Sequence, residues 1–219
     1  MSRDVFVLGG TGYIGSRLIP ALLSRGHRVR ALAREESAGR VPPGATPVLG
    51  NALSVETFAG AVRSGDTLVH LIGTPHPSPS KAAEFQRVDL ASARAAAQAA
   101  ERAGAAHVVY VSVAQPAPVM RAYVEARAAA EQAFRDTGVA ASFLRPWYVL
   151  GPGHWWPILL LPGYFVGGLL PPFRATSRRL GLVTIGQMIA ALLWAIESPP
   201  ARGEVRILDV PAIRTGRTP

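Results

Sequence analysis

An α/β fold with a doubly wound parallel sheet is the architecture that this 219-residue sequence predicts, on three observations. Apolar runs rich in Val, Leu and Ile recur along the chain. They alternate with helical patterns. They are continuous in apolar character, which marks strands covered on both faces. Strand, helix, strand in repetition gives a parallel sheet with right-handed crossovers.

Taken in order, strands are expected at 4–8, 28–33, 46–49, 67–72, 107–112 and 140–144. Helical patterns lie between them at 14–25, 55–62, 81–103 and 119–136. Gly26, Gly104 and Gly138 follow three of these helices where a left-handed C-terminal cap belongs. After Leu150 the chain turns to Pro, Gly and aromatic residues. A further helix starts at Thr184, an N-cap residue, and runs to about Glu197. A late strand is expected at 204–210, and the tail from Pro211 reads as frayed. Residues 1–219 thus read as a single domain, with 151–203 as a small aromatic and helical lobe within it.

Composition narrows the function. Cysteine is absent, which removes disulfides, thiolate metal sites and a Cys nucleophile. The formal net charge is +9, and all but one of the 23 basic residues are Arg, Lys81 being the exception. That excess suggests a polyanion or an anionic membrane surface. The charge is dispersed, however, with Arg178–Arg179 the one adjacent Arg pair, and no nucleic-acid-binding pattern stands out. The long uncharged stretch 146–173 is interrupted by Pro and Gly, against an unbroken spanning helix. No targeting segment is visible, so the expected location is cytoplasmic.

The strongest local signal is Gly9-Gly-Thr11-Gly12-Tyr13-Ile14-Gly15, between the first strand and the first helix. Gly9 permits a tight turn, Gly12 lets backbone N–H groups approach a pyrophosphate, and Gly15 lets the helix pack close to the sheet. The helix N-terminus adds partial positive charge and free donors. The loop therefore predicts a dinucleotide. At the end of the second strand, where an acidic residue would bind a ribose diol, stand Ala33 and Arg34. Arg34 favours NADP(H) over NAD(H), and Glu35 and Glu36 are at hand to pair with it and blunt that preference. Residues 1–34 hold six Arg and one Asp, a local net of +5.

This loop, Ser112–Val113, YVEARAAAE at 123–131 and RPWYVLGPG at 145–153 together resemble the short-chain dehydrogenase/reductase superfamily. The likeness is to its extended and atypical branches: NmrA-like NAD(P)-binding proteins, the dehydrogenase-like accessory subunit of respiratory complex I, and sugar-nucleotide epimerases. It covers residues 4–153 and implies a Rossmann-like sheet, a nicotinamide cofactor and a Ser–Tyr–Lys site with the spacing YxxxK. Ser112 takes the family Ser position, which positions the substrate oxygen. Tyr123 takes that of the general acid/base. The Lys position holds Arg127, a departure, because a planar guanidinium does not reproduce a compact ammonium. Spacing i, i+4 puts Tyr123 and Arg127 on one helix face. A second departure is Asp89, where Asn is common. The resemblance also places Asn51 and Ala52 beside the adenine, Gly73 and Thr74 beside the adenosine ribose and pyrophosphate, and Pro146 near the cofactor.

Trp147, His154 and Trp155 belong to an aromatic segment that leaves the sixth strand and walls the substrate end of the site. Such walls suit a hydrophobic carbonyl compound. The segment 147–173 also suits contact with a membrane surface, or packing over the sheet. The histidines show no metal-ligand spacing. Three functions stay open: an NADP(H)-dependent oxidoreductase, a non-enzymatic NAD(P)H-binding sensor or accessory subunit favoured by Arg127, and an epimerase or dehydratase. Family members often dimerise through helices like 81–103 and 119–136, so a homodimer is expected.

Overall fold

The protein is described by a computed structural model covering residues 2–117, 119–153 and 180–216. Seven parallel strands form the central sheet: β1 (Asp4–Leu8), β2 (Arg28–Ala33), β3 (Thr46–Leu49), β4 (Thr67–His70), β5 (His107–Val111), β6 (Ala140–Leu144) and β9 (Val205–Leu208). Their order is β3-β2-β1-β4-β5-β6-β9. The chain starts in the middle, winds one way through β2 and β3, then reverses to β4. That reversal beside β1 is the switch point where such sheets bind ligands.

Continuous apolar strands produce two cores. On one face Val5, Val7, Val69, Val109 and Leu144 pack against α1 (Gly15–Ser24) and a later helix, Ile185–Glu197. On the other, Phe6, Leu8, Leu68, Val108 and Phe143 meet the helices of the central crossovers. These are α3 (Ala91–Ala103) and α4 (Arg121–Asp136); the one-turn α2 (Ala82–Glu84) stands outside the core. The Ala-rich face of α3, including Ala93, Ala96 and Ala100, combines high helix propensity with close approach to the sheet. Gly104 closes α3 with φ +65°, as its place in the sequence predicts.

Several elements differ from the expectation. Residues 55–62 form two short 3-10 turns, Val55–Thr57 and Ala59–Ala61. The expected helix 81–103 contains a π turn at Phe85–Leu90. Two short strands, β7 (Tyr148–Leu150) and β8 (Leu182–Thr184), pair in parallel as a separate two-stranded sheet. Helix α5 (Ile185–Glu197) starts at the expected Thr184, in a capping box: Thr184 Oγ1 accepts from Gln187 N–H, and Gln187 Oε1 accepts from Thr184 N–H. Since α5 packs on α1 in the main core, this part of 151–203 joins the layer beneath the sheet. The tail from Pro211 is not frayed at its start: Asp209 caps α6 (Val210–Thr215) by accepting from Ala212 N–H at 3.1 Å. No helix among the described residues is long and apolar enough to cross a membrane.

Two histidines are enclosed in the cores. His70 Nε2 lies 3.1 Å from Ser92 Oγ, and His107 Nε2 lies 3.0 Å from Ser142 Oγ. Burial pulls both pKa values down to about 3, with Arg127 adding to the effect on His70 and Arg3 to that on His107. Their folded-state values lie below the unfolded value near 6.5, so the unfolded chain binds protons first as pH falls. Stability should therefore drop as pH falls from about 6.5 toward 3, by roughly 2 kcal/mol for each histidine between pH 7.5 and 5. Urea midpoints across that range should show a flatter profile in His107→Gln than in the wild type.

Candidate functional site

The glycine loop is fixed by two close approaches. Gly9 leaves β1 with φ +86°, and a Cβ on it would stand 3.1 Å from backbone atoms of Leu71 and Ile72. Gly15 opens α1 so near the start of the loop that its Cβ would lie 2.7 Å from Gly10 Cα. Gly12 differs. Its nearest neighbour would be Gly9 O at 3.2 Å, its φ is not positive, and it is exposed. Gly12 thus has one tight backbone contact where Gly9 and Gly15 have several. No side chain caps the first turn of α1; the N–H groups of Ser16, Arg17 and Leu18 donate to Gly12 O and Ile14 O.

Parallel register sets the flanks. Leu8 pairs with Leu32 on one side and His70 on the other. Arg34 thus leaves the sheet on one side of the loop, and Ile72, Gly73 and Thr74 on the other. Gly50 N–H donates to Ala33 O at 3.0 Å, which sets Asn51 and Ala52 beyond Arg34. Asn51 Oδ1 accepts from Leu53 N–H at 3.0 Å, so its oxygen is engaged in a local turn. Arg34 is exposed and pairs with Glu36 at 3.1 Å. Within the loop, the Arg17 guanidinium lies 4.2 Å over the Tyr13 ring and donates to Tyr13 O at 2.8 Å. A Cβ at Gly151 would overlap the Tyr13 hydroxyl, so the GPG stretch rests directly against the loop. Thr11 and Ile14 are half-buried beside it.

On the β5 side, Ser112 follows the strand and donates its N–H to Leu144 O at 2.7 Å. Its Oγ is buried and has no hydrogen-bond partner among the described residues. Pro146 is buried and accepts from Ala114 N–H at 2.9 Å. Trp147 is half-buried, with Tyr148 edge-on at 5.7 Å. His154 and Trp155 lie outside the described residues, as does most of 147–173.

Helix α4 carries Tyr123, Arg127 and Glu131 at i, i+4 and i+8 along one face. The Tyr123 ring packs 4.9 Å from Phe85 and 5.2 Å from the Arg127 guanidinium carbon. Arg127 is buried. Its Nη2 pairs with Asp89 Oδ1 at 2.8 Å, and its Nη1 donates to Val111 O at 3.0 Å, Tyr110 Oη at 3.2 Å and Ile72 O at 3.3 Å. Burial opposes its charge, but Tyr110, Tyr123 and Asp89 outweigh that and raise its pKa above the ordinary arginine value. Tyr110 is pushed up to about 12, chiefly by burial. Asp89 also accepts from Thr74 N–H at 3.1 Å and Thr74 Oγ1 at 2.5 Å. A Cβ on Gly73 would overlap Arg127 Nη2, so the glycine makes room for the guanidinium.

Glu131 is the second buried anchor. Arg145 grips it with both ends of its fork, at 2.9 and 2.5 Å, and Gln115 Nε2 donates to it at 2.8 Å. Asp89 and Arg17 were outside the expected set. The signal for Asp89 was present: positions 89 and 127, two of those at which the chain departs from the family pattern, carry opposite charges.

The chain's residues 9–152 match the family model described as NAD(P)H-binding. Among curated proteins it is 29% identical over 214 residues to a ceramide reductase of Caulobacter vibrioides, covering 94% of this chain and 64% of that one. It is 38% identical over 109 residues to the 4-hydroxy-2-methyl-3-oxo-4-farnesyl-3,4-dihydroquinoline-1-oxide ketoreductase of Stigmatella aurantiaca, 49% of this chain and 32% of that one. The chain thus spans less than two thirds of the length of these relatives. A solved short-chain dehydrogenase/reductase superfamily protein from Agrobacterium tumefaciens with bound NAD shares the fold. Its TM-score is 0.68 at 17% identity, over 94% of this chain and 77% of that one.

The packing predicts opposite costs for two loop glycines. Gly15→Ala should lower unfolding stability by about 2 kcal/mol or more, because its neighbours are backbone. Gly12→Ala should stay within about 1 kcal/mol of the wild type. Thermal unfolding of the two variants checks the contrast.

Proposed function

We propose, for a chain that belongs to the NAD(P)H-binding family within the short-chain dehydrogenase/reductase superfamily, that it reduces the carbonyl of a hydrophobic substrate with NADP(H). The observation that carries this reading is the glycine loop between β1 and α1, with no side-chain cap on the helix and with Gly9 and Gly15 fixed by close backbone approaches. A pyrophosphate fits there: Gly9, Gly12 and Gly15 give the approach, and the backbone of Thr11 and Ile14 would offer donors, the Gly12 N–H being bonded to Gly9 O. The adenosine end would lie along Asn51, Ala52, Gly73 and Thr74, and the nicotinamide end toward Pro146.

Arg34 supports NADP(H). Its pair with Glu36 is exposed on both sides, and such pairs are worth about 0–1 kcal/mol. Exchanging that partner for a dianionic 2′-phosphate costs little and gains charge-assisted bonds.

When bound, the reduced dinucleotide supplies a hydride to the carbonyl carbon. Tyr123 Oη gives its proton to the carbonyl oxygen, completing the alcohol. Ser112 Oγ, buried and without a partner among the described residues, orients that oxygen by donating a hydrogen bond. Trp147, with His154 and Trp155, would wall the apolar part of the substrate. The two reductases that this chain is similar to are named for a ceramide and for a farnesylated dihydroquinoline, which supports a lipid-like carbonyl substrate.

A second reading, a non-catalytic NADP(H)-binding module, draws on one observation: the nitrogens Nη1 and Nη2 of Arg127 are engaged by protein acceptors. Tyr123→Phe decides between the two. On the enzymatic reading it should cut kcat at least about a hundredfold on an aldehyde and ketone panel while NADPH still binds. Equal rates in variant and wild type would remove Tyr123 from the mechanism. Arg34→Ala should weaken NADPH binding about tenfold and leave NADH binding unchanged; equal losses for both would remove the 2′-phosphate contact. Cofactor fluorescence titration measures each.

A further inference from the structure

Two of the positions at which this chain leaves the family pattern touch each other. Asp89 comes from the π turn before α3, Arg127 from the middle of α4, and their charged atoms are 2.8 Å apart in the interior. A third position completes the contact. Gly73, just past β4, bears no side chain where the Arg127 guanidinium passes, and its Cβ would also stand 3.3 Å from Asp89 Oδ1. From one guanidinium, then, bonds run to the ends of β4 and β5 and to the π turn, while its flat face lies beneath the Tyr123 ring.

We infer that Gly73, Asp89 and Arg127 form one matched positioning unit for Tyr123, in which the carboxylate holds the guanidinium under the tyrosine ring and the glycine makes the room. Asp89 acts through Arg127 and touches no reacting atom. Its second oxygen holds Thr74, so the same carboxylate sets the loop after β4 relative to the helix that bears Tyr123. The ring has two neighbours, Phe85 and the guanidinium, and Phe85 belongs to the same π turn as Asp89. Removing one charge leaves the other buried and unanswered, which breaks the unit. Removing both together leaves no buried charge unanswered. This inference rests on the reading of Tyr123 as the proton donor.

The test uses the full chain labelled with 3-fluorotyrosine, in four forms: wild type, Asp89→Asn, Arg127→Gln and the double variant. The fluorine NMR signal of Tyr123 is assigned with Tyr123→Phe. Each single variant should shift that signal beyond its linewidth and lower kcat at least about tenfold, with the NADPH dissociation constant within about threefold of wild type. In the double variant, which also lacks the guanidinium beneath the ring but leaves no buried charge unanswered, the displacement should fall well below the sum of the two single displacements. Single variants that fail to fold beside a folded double variant support the unit equally. A Tyr123 signal unmoved in either single variant, or displaced in the double variant by the sum of the two, overturns the unit. A wild-type protein that reduces no carbonyl, while the signal moves non-additively as described, sinks the reductase reading and leaves the unit standing.

Discussion

A buried guanidinium must have its donors answered inside the protein, and the geometry of the site follows from how Arg127 meets that demand at Nη1 and Nη2, its Nε having no partner among the described residues. Its acceptors come from three separate places: the backbone after β4, the end of β5 with the Tyr110 hydroxyl, and Asp89 in the π turn. An ion pair so enclosed adds little net stability, because desolvation offsets the attraction. What it supplies is uniqueness of arrangement. A planar fork with fixed donor directions accepts few placements of its partners, whereas an ammonium on a flexible stem accepts many.

Helix α4 is held the same way one turn further on. Glu131 takes both ends of the Arg145 fork and the Gln115 amide, tying α4 to the segments that leave β5 and β6. Tyr123 therefore sits at the free end of a helix whose next two turns are each pinned by a buried ion pair. The chain entering α4 is less conventional: Met120 takes φ +57° and gives no side-chain cap. Order at Tyr123 reaches it from the C-terminal side, through Arg127 and Glu131, and from Phe85 across the groove.

This division explains what the sequence made legible. Strands buried on both faces announce themselves as apolar runs, so the six strands up to Leu144 were readable, with ends off by at most two residues. The loop glycines were readable because spacing between a strand and a helix is local information. Residues 55–62 misled because an apolar rhythm over so short a stretch, with Gly60 inside it, fits consecutive 3-10 turns as well as a helix. Pro211 misled in the other direction: in a first helical turn its missing N–H costs nothing, and Asp209 supplies the cap. Strands β7 and β8, three residues each and more than thirty apart in sequence, give no periodic signal at all. At the site, the spacing of Tyr123, Arg127 and Glu131 was visible, but their partners come from other elements. Arg127 looked like a defect because Asp89 was read by itself.

The arginine excess takes on a different meaning in three dimensions. The first 34 residues carry a local charge of +5 by sequence, which suggested a field gathered around the glycine loop. Most of it is answered. Arg25 pairs with Glu197, Arg28 with Asp4, Arg34 with Glu36, and Arg30 with both oxygens of the buried Asp66. Of the two that remain, Arg3 donates to Glu197 O on the far side of α5, and Arg17 stands over Tyr13 in the loop itself. The one arginine of this set that stands at the loop, Arg17, is itself engaged with Tyr13 O and the Tyr13 ring. Across the whole fold, the arginines at 30, 127 and 145 act inside it on buried carboxylates, Arg145 as a two-pronged fork. Each of these pairs cancels in the net charge, so the +9 of the chain belongs to its other arginines, and what arginine does for the architecture leaves no trace in that number.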